Sequence, residues 1–390
     1  MYPIASATGI CVQRFAELLC NDYKIDVICV ASDMNAVRIA HMSGITIHAL
    51  AGGAMSQEAH HRGVLRKLCH LYGQAQIKTS LLGNMKWFEV AALKKLKEID
   101  RIRKIDAIFS VCSPLSAHCA ALKYKEENAS VRWLAYTVDL FATPKRIRPF
   151  GHSLESLIKK EQEVLQKADS VLLSEEIYAN HPKLVENLKD VEKLPYAIPY
   201  QKESEDFKEE LGSSKKNRIY CVFAGTLYQD LRNPEVMLDL FSRISDKTVN
   251  LHLYTTGCGE LVGKYASNVN SITLHGRVPY EEIKRVYQKA DFLVNIGNSN
   301  SDFIPSKTFE YIATGKPIIN FYYGNKPDSV LSKYPLAFHI SNKEKQHEVK
   351  PIEEFLKSNT GKVLSRRDIE QIYPCNATDY IKNLLKNKID

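Results

Sequence analysis

The stretch that decides the fold is Ser301–Asn320, which reads SDFIPSKTFEYIATGKPIIN. Pro305 and Ser306 are typical of a helix start, and Gly315 followed by Pro317 is typical of a helix end. The β-branched pair that comes next predicts a buried strand. The stretch therefore predicts a loop, a short helix, a tight turn and a strand.

The predicted helix has an apolar face and a polar face. At about 100° per residue, Phe309 and Ile312 share one side, whereas Ser306, Lys307 and Glu310 share an adjacent arc. Free backbone N–H groups and a cation at a helix start suit a phosphate, and a carboxylate one turn later suits a sugar diol. The alternative is an ordinary surface helix in which Lys307 and Glu310 form a weak (i, i+3) pair.

Short apolar runs bounded by turn residues alternate with helical segments on both sides of this stretch. They predict strands at 26–31, 45–50, 105–112, 131–138, 170–174, 193–198, 219–225, 249–255, 271–275, 291–296 and 316–321. A polar, charged connection separates the two halves. We therefore predict an α/β protein with an N-terminal domain at 1–198, a linker at 199–217, a second domain at 218–372 and a C-terminal helix at 373–390 that packs back toward the first domain.

The first residues, YPIASATGI, predict a small-residue loop that opens a helix. Such a loop normally follows a strand near the middle of a doubly wound sheet. Only Met1 precedes Tyr2, so we expect that the first strand of this domain is missing.

The composition favours a folded, two-domain protein. The chain has 390 residues, of which 44% are hydrophobic and 25% are charged. We find no bilayer-spanning apolar run and no basic-then-apolar leader, so we expect a cytoplasmic location. The nine cysteines are scattered without a C-x-x-C pair, and we expect neither zinc nor disulfides.

The net charge of +8 is concentrated in residues 60–104, which hold eleven Lys and Arg against three Asp and Glu. Leucines and aromatic residues lie between the cations. This pattern favours peripheral contact with anionic headgroups or a lipid-linked phosphate. A pair of core-packing helices with basic outer faces is the alternative. The positive charge could also bind nucleic acid, but the sequence contains no nucleic-acid recognition motif, and we expect no nucleic-acid partner.

Two further positions suit ligand binding. Gly225 ends a predicted strand and allows close approach of an anion, and Arg232 in the following loop could reach the same diphosphate. Asp139 follows a strand at the edge where open α/β sheets bind ligands. A plain tight turn at Gly225 and a turn-capping role for Asp139 are the alternatives.

The second half resembles the donor domain of GT-B-fold retaining glycosyltransferases of family 4. The strand ending at Gly225, then Arg232, then HGRVPYEEI, ADFLVNIG and DFIPSKTFEYIATGKPII follow in the order of that family. The first half is similar, through DAIFSVCSPLSAHCAALKYK and the strand before Asp139, to enzymes that build bacterial exopolysaccharide and O-antigen. The resemblance implies two Rossmann-like domains that face each other across a cleft.

The resemblance also implies roles for single residues. Glu310 matches the acid that binds the nucleotide ribose, and Asp302 takes the place of the first acid, near the transferred sugar, where the family usually has glutamate. Ser306 and Lys307 match residues that face the diphosphate.

Further matches lie on both halves of the chain. Gly225 and Arg232 match the other side of the diphosphate. The main chain at Arg277 and Val278 matches the segment that reads the base, while Thr8 and Gly9 match a phosphate-facing loop.

The implied reaction transfers a sugar, with retention, from a nucleotide-sugar co-substrate to a glycan or polyprenyl-diphosphate-linked acceptor in surface polysaccharide synthesis. Lys307 and Arg232 would stabilise the charge on the departing diphosphate without a metal, and no other cofactor is implied. Asp139 and His118 are candidates for the catalytic base, although His118 could instead be a polar residue of a packed helix. A nucleotide-sugar epimerase of the same fold and a non-catalytic nucleotide-sugar-binding protein are the alternatives.

Overall fold

The chain divides into two compact units. Unit 1 comprises Met1–Ala197 and Thr378–Asp390, and unit 2 comprises Ile198–Ala377. The computed structural model describes residues 7–31, 39–42, 44–52, 63–79, 82, 85–112, 114–142, 153–199, 218–299, 304–344 and 346–390. The linker predicted at 199–217 lies almost entirely outside these described residues.

Strands and helices alternate through both units. The strands are β1 Ile25–Val30, β2 Ile39–Met42, β3 Ile45–Leu50, β4 Ala107–Cys112, β5 Arg132–Thr137, β6 Ser170–Leu173, β7 Val191–Lys193, β8 Ile219–Thr226, β9 Val249–Thr256, β10 Ile272–Leu274, β11 Phe292–Ile296, β12 Ile318–Tyr322 and β13 Ala337–Ser341. The helices are α1 Ala7–Leu19, α2 Gly63–Thr79, α3 Lys86–Ile102, α4 Ser116–Glu127, α5 Leu154–Leu165, α6 Glu175–Asn180, α7 Pro182–Glu186, α8 Glu235–Ser242, α9 Gly259–Asn268, α10 Tyr280–Lys289, α11 Lys307–Ala313, α12 Lys350–Asn359, α13 Arg366–Ile372 and α14 Thr378–Ile389.

Unit 1 contains two groups of hydrogen-bonded strands. One is a parallel sheet in the order β4-β5-β6-β7, and the other has the order β1-β3-β2 with β2 antiparallel. Among the described strands, no hydrogen-bonded pairing joins β1 to β4. The expectation that the first strand of this unit is missing concerns residues outside the described part of the chain and stays a prediction.

The first and last helices of the chain share one core in unit 1. Phe15 of α1 packs edge-on against Phe109 of β4 and Tyr136 of β5, at ring-centroid distances of 5.8 and 5.6 Å. Ile381 and Leu385 of α14 are buried in the same cluster. Helix α14 therefore belongs to unit 1, although its sequence follows unit 2.

Unit 2 is built on a six-stranded parallel sheet with the order β10-β9-β8-β11-β12-β13. In chain order this is 3-2-1-4-5-6, the arrangement of dinucleotide-binding Rossmann folds. The chain direction across the sheet reverses between β8 and β11, so the loops after these two strands diverge there. Together with the α/β alternation in unit 1, this sheet confirms the predicted class of two Rossmann-like units.

The residues of β11 show why the strand lies in the centre of the sheet. FLVNI is buried along its whole length, as expected for a strand covered on both faces. Phe292, Val294 and Ile296 join the core formed with α8 and α12, whereas Asn295 belongs to the opposite face. The nearly continuous apolar run of β11 is therefore typical of a strand in the centre of the sheet.

Helix α11 ends in a turn that only glycine fits well. Gly315 has a φ of +70°, and its N–H donates to Ile312 O at 2.9 Å. A Cβ atom at this position would lie 2.3 Å from Leu364 O, closer than real Cβ contacts. Leu364 N in turn donates to Gly315 O at 2.8 Å, which ties the end of α11 to the segment before α13.

Some elements differ from the sequence prediction. The last strand of unit 1 is Val191–Lys193 rather than 193–198, because prolines at 195 and 199 lack the N–H that a ladder needs. Strands β2 and β13 and helices α6, α7, α9, α12 and α13 were not predicted from the sequence. Among the described residues, no helix is long and apolar enough to cross a membrane.

Candidate functional site

The loops after β8 and β11 are hydrogen-bonded to each other at the point where the strand order reverses. Arg232 N donates to Tyr228 O at 2.8 Å, which closes a tight loop after β8. Ser299, which follows β11, donates its N–H to Leu231 O and its Oγ hydrogen to Asp230 O, both at 2.8 Å. In open α/β sheets, this edge is where ligands bind.

Arg232 is held between these loops. Its Nε donates to Asn298 Oδ1 at 2.7 Å, so the guanidinium orientation is fixed by the loop after β11. Burial lowers the pKa of Arg232, although an arginine stays charged at neutral pH. The structure thus places a partly desolvated cation at the carboxyl edge of the sheet.

Lys307 supplies a second cation at the same junction. It is the first residue of α11, and its Nζ donates to Ala224 O of β8 at 2.7 Å. Burial lowers the pKa of Lys307, the Glu310 carboxylate opposes that shift, and the charge on Arg232 adds to it. Because the charges on Lys307 and Arg232 repel each other, an anion placed between them would stabilise both.

Gly225 keeps the space next to Lys307 open. A Cβ atom at this position would lie 3.8 Å from Lys307 Nζ and 3.3 Å from the Phe223 ring. A larger side chain would therefore extend toward the ammonium group. The structure brings Lys307 close to Gly225 and Arg232, which precede it by 82 and 75 positions in the sequence.

Tyr311 fixes α11 against β8 and was not anticipated as a site residue. Its buried hydroxyl accepts from Ala224 N at 3.2 Å and lies 3.4 Å from Ala224 O. Its ring packs edge-on against Tyr287 of α10 at 5.2 Å. Tyr311 thus sets the position of the helix from which Lys307 and Glu310 project.

The remaining residues predicted on α11 lie on its first turns. Ser306 is the residue that precedes the helix, and its side chain makes no capping hydrogen bond. Glu310 is buried, one turn further on. Helix α11 has only seven residues, so side-chain cations rather than a long helix dipole provide the positive charge here. Asp302 lies outside the described residues.

The predicted base-reading segment follows β10 at the same edge of the sheet. Gly276 turns the chain with a φ of +72°, Arg277 is exposed and Val278 is half-buried. Strand β9 lies between β10 and β8, so this segment is one strand removed from the cations.

A cluster of aromatic and imidazole rings beside this segment was missed by sequence reasoning. The Tyr254 and His275 rings stack at 4.3 Å, and His252 Nδ1 lies 2.8 Å from His275 Nε2. Burial and then the His275 charge lower the pKa of His252 to about 4. The alternation of VNLHLYTT, which puts His252 and Tyr254 on one face of β9, was the available signal.

The turn between β9 and α9 was also missed. Gly257 has a φ of +87°, and a Cβ atom there would lie 2.1 Å from Leu227 O. Leu227 N donates to Thr256 O at 2.9 Å, so the chain segments that leave β8 and β9 pack closely. The G-x-G pattern between a strand and a helix could have indicated this turn.

In unit 1, Asp139 lies two residues after β5 and is half-buried. Burial, Glu175 and Asp139 raise the pKa of Glu176, and local hydrogen bonds oppose the shift. The buried Glu161 carboxylate accepts N–H groups from Phe141 at 2.8 Å and Ala142 at 3.0 Å, so it shapes the turn after Asp139.

His118 lies in the core of unit 1 rather than at a surface. Its Nδ1 lies 2.8 Å from Ser110 Oγ, which also accepts from Trp133 Nε1, and its Nε2 lies 3.4 Å from Thr137 Oγ1. Burial lowers the pKa of His118 to about 3. These contacts fit the interpretation of His118 as a polar residue of a packed helix.

Thr8 and Gly9 occupy the first turn of α1 instead of a loop. The loop predicted before them lies outside the described residues, as does the Thr8 side chain. No cluster of three or more potential metal ligands is found in the described part of the chain.

Comparison with known proteins identifies the class of unit 2. Residues 218–346 match the family described as Glycosyl transferases group 1. This range contains β8, β11, α11 and every predicted donor-side residue. The matched residues all lie within unit 2. No curated protein sequence matches the chain.

Solved structures with the same fold extend over both units. The chain is similar to a UDP-forming α,α-trehalose-phosphate synthase of Burkholderia xenovorans in complex with glucose-6-phosphate, with 9% identity, a TM-score of 0.63 and coverage of 100% of this chain and 96% of that one. It is also similar to HepE of Anabaena in complex with UDP-glucose, with 11% identity, a TM-score of 0.55 and coverage of 99% and 97%. The fold is thus the two-unit GT-B type.

Proposed function

We propose that this protein is a retaining glycosyltransferase that moves a sugar from a nucleotide-sugar donor to a glycan or lipid-linked acceptor in surface polysaccharide synthesis. The observation that carries the proposal is the convergence of Arg232 and Lys307 beside Gly225, at the reversal point of a Rossmann sheet. The match of residues 218–346 to glycosyltransferase group 1 supports the same donor class.

The two cations suit the chemistry of sugar transfer. When the bond between the anomeric carbon and the diphosphate oxygen breaks, the electron pair stays on the diphosphate and the sugar becomes cationic. Arg232 and Lys307 lie where they could stabilise that leaving group, because both are held in place before a ligand binds. Side chains alone supply this stabilisation in our proposal, without a metal ion.

The other predicted residues take the roles that donor binding requires. Glu310 would bind the ribose, Ser306 the diphosphate, and the main chain at Arg277 and Val278 the base. Asp302 would lie near the transferred sugar. The acceptor hydroxyl attacks the anomeric carbon on the face that the diphosphate leaves, and its proton passes to a base, for which Asp139 is our candidate.

Thermal unfolding with added nucleotides tests the donor site. We expect one of UDP, GDP, dTDP or CMP to raise the melting temperature, because a ligand at 100 times its Kd stabilises the folded state by about 2.7 kcal/mol. UDP is the first to try, since HepE is bound to UDP-glucose. If none of the four compounds stabilises the protein, the proposal is wrong.

Two variants and one control variant test which residues bind the nucleotide. Arg232→Met and Lys307→Met should each weaken nucleotide binding by about 30-fold, since a hydrogen bond to a charged group contributes about 2 kcal/mol. Neither should lower the stability of the free protein much, because each removes one of two half-buried like charges. Arg243→Met, at a partly exposed arginine paired with Asp239, should leave binding unchanged.

Product analysis separates the enzyme from its alternatives. Release of nucleoside diphosphate that depends on added acceptor indicates transfer, whereas a change in the donor sugar without acceptor indicates an epimerase. Nucleotide binding with neither product indicates a binding protein. Glucose-6-phosphate, the ligand of the Burkholderia xenovorans synthase, is the comparison acceptor, and its use would refute the polysaccharide role.

A further inference from the structure

Four rings on one face of the unit 2 sheet form two hydrogen-bonded layers. Tyr220 and Tyr254 make the tyrosine layer, in which the two hydroxyl oxygens lie 3.0 Å apart. His252 and His275 make the imidazole layer, in which Nδ1 of His252 lies 2.8 Å from Nε2 of His275. The two imidazole centroids are 5.1 Å apart and the ring planes differ by 23°, so these rings meet edge to edge in nearly one plane.

The tyrosine layer covers one side of the imidazole layer. The Tyr254 ring lies 4.3 Å from the His275 ring with 4° between their planes, and the Tyr220 ring lies 4.0 Å from the His252 ring. In each stacked pair the tyrosine comes from the strand nearer the centre of the sheet. The imidazole layer therefore lies on the outer side of the stack, toward β10.

The outer side of the imidazole layer faces the edge of the sheet. Strand β10 is the edge strand, and no other described strand pairs with its outer side. His275, which directly follows β10, is exposed, whereas His252, Tyr254 and Tyr220 are half-buried. A flat surface two imidazole rings wide is therefore accessible to a ligand at His275.

The two imidazoles are neutral at neutral pH. Burial lowers the pKa of His275, although Glu282 of α10 opposes this shift. Burial and then the charge on His275 lower the pKa of His252 to about 4. A neutral imidazole has one N–H donor and one acceptor nitrogen, so one ring can donate to the other. A neutral, flat pair of rings suits the face of another aromatic ring rather than an anion.

The imidazole layer is level with the donor-side cations. Ala224 of β8 pairs with Tyr254 of β9, whose ring stacks on that of His275. The carbonyl of Ala224 accepts from Lys307 Nζ. Because neighbouring strands lie about 4.8 Å apart, the backbone of His275 is about 10 Å from this carbonyl, two strands away. This separation is comparable to the span from the phosphates to the base in an extended nucleotide.

We infer that the imidazole layer is a stacking platform for the base of the nucleotide-sugar donor. The inference rests on the proposed function and deepens it, since that function gives the base only main-chain contacts at Arg277 and Val278. Gly276, with a φ of +72°, turns the chain from His275 into this segment. The face of the base thus lies on the rings and its edge lies at the main chain. Because every base has a face that can stack, the platform adds affinity and the main chain selects the base.

Calorimetric titration of the full chain with UDP, GDP and inorganic pyrophosphate tests the inference. His275→Ala should weaken the binding of UDP and GDP about tenfold, because it removes a ring on which the base stacks. Pyrophosphate has no base and should bind this variant as it binds the wild type. His275→Phe keeps a flat ring and should retain most of the nucleotide affinity. His181→Ala, at an exposed histidine of unit 1, is the control and should change neither affinity.

The outcomes separate this inference from the proposed function. If His275→Ala binds UDP and GDP as tightly as the wild type, or loses affinity for pyrophosphate equally, the platform is refuted and the proposed function stands. The melting temperature of each free variant shows whether it is folded, and an unfolded His275→Ala leaves the decision to His275→Gln, which also removes the aromatic ring. A wild type that binds UDP with the help of His275 but transfers no sugar refutes only the proposed enzyme. A wild type that binds neither UDP nor GDP refutes both.

Discussion

Substitution of Gly315 by alanine should destabilise unit 2 far more than the same substitution at Gly361. Both glycines have a positive φ, +70° and +81°, so both variants share the strain of a left-handed backbone, about 1 kcal/mol. A Cβ atom at Gly361 has nothing within 4 Å, whereas one at Gly315 would lie 2.3 Å from Leu364 O. Relieving that overlap requires a backbone shift, for which overpacking adds about 1–3 kcal/mol.

The expected difference is large enough to measure. The free energy of unfolding should fall by about 1 kcal/mol in Gly361→Ala and by about 2–4 kcal/mol in Gly315→Ala. At about 2–4 °C per kcal/mol, the melting temperature of Gly315→Ala should then be several degrees lower than that of Gly361→Ala. Urea and thermal unfolding of both variants give the comparison. Because the turn at Gly315 ends the helix that carries Lys307, Gly315→Ala should also weaken nucleotide binding. Equal losses in the two variants would refute the role assigned to the Leu364 carbonyl.

Two further predictions concern buried polar groups. Burial lowers the pKa of His118 in the folded protein to about 3, below its unfolded value, so its contribution to stability is full above about pH 6.5 and is lost as the pH falls toward 3. Between pH 7 and pH 4, His118→Gln should therefore lose less stability than the wild type in urea unfolding. Parallel losses in the two proteins would contradict this. Asn320 accepts from Asn295 Nδ2 at 2.8 Å, and its own Nδ2 lies 3.1 Å from His339 Nδ1. Asn320→Leu should therefore destabilise by about 2–4 kcal/mol, because it leaves the buried Asn295 and the half-buried His339 without these contacts. Asn359→Leu, on α12, should have little effect, and a similar loss there would count against the cross-strand role.

Strands β8 to β12 of unit 2 could be predicted because each is an apolar run with a clear end. Helix α10, Tyr280–Lys289, has the local signals of a helix, since Pro279 precedes it and its apolar positions follow a helical period. Strand β13 was missed because AFHIS is short and carries a histidine. Its histidine contacts Asn320 of the neighbouring strand, and the local sequence does not indicate this contact.

Part of the predicted donor site could be found from the sequence for a similar reason. Arg232 and Lys307 are charged residues next to glycine or proline turns, a local signal. Asn298 and Tyr311 act through contacts with residues 66 and 87 positions away, so no pattern within their own segments indicates them. His118 shows the converse limit, because a histidine on a helix looks the same in sequence whether it lies in a core or at a site.

The pairing of β8 with β11 has a consequence for how unit 2 is made. Tyr220 N donates to Asp291 Oδ2 and Asp291 N to Tyr220 O, both at 2.8 Å, across 71 residues of chain. During synthesis, the edge of β8 that pairs with β11 therefore stays uncovered until β9, β10 and α10 have been produced. Exposed strand edges promote aggregation. The proposed donor site lies at this junction, so a nucleotide present during refolding should favour the correct pairing of β8 with β11.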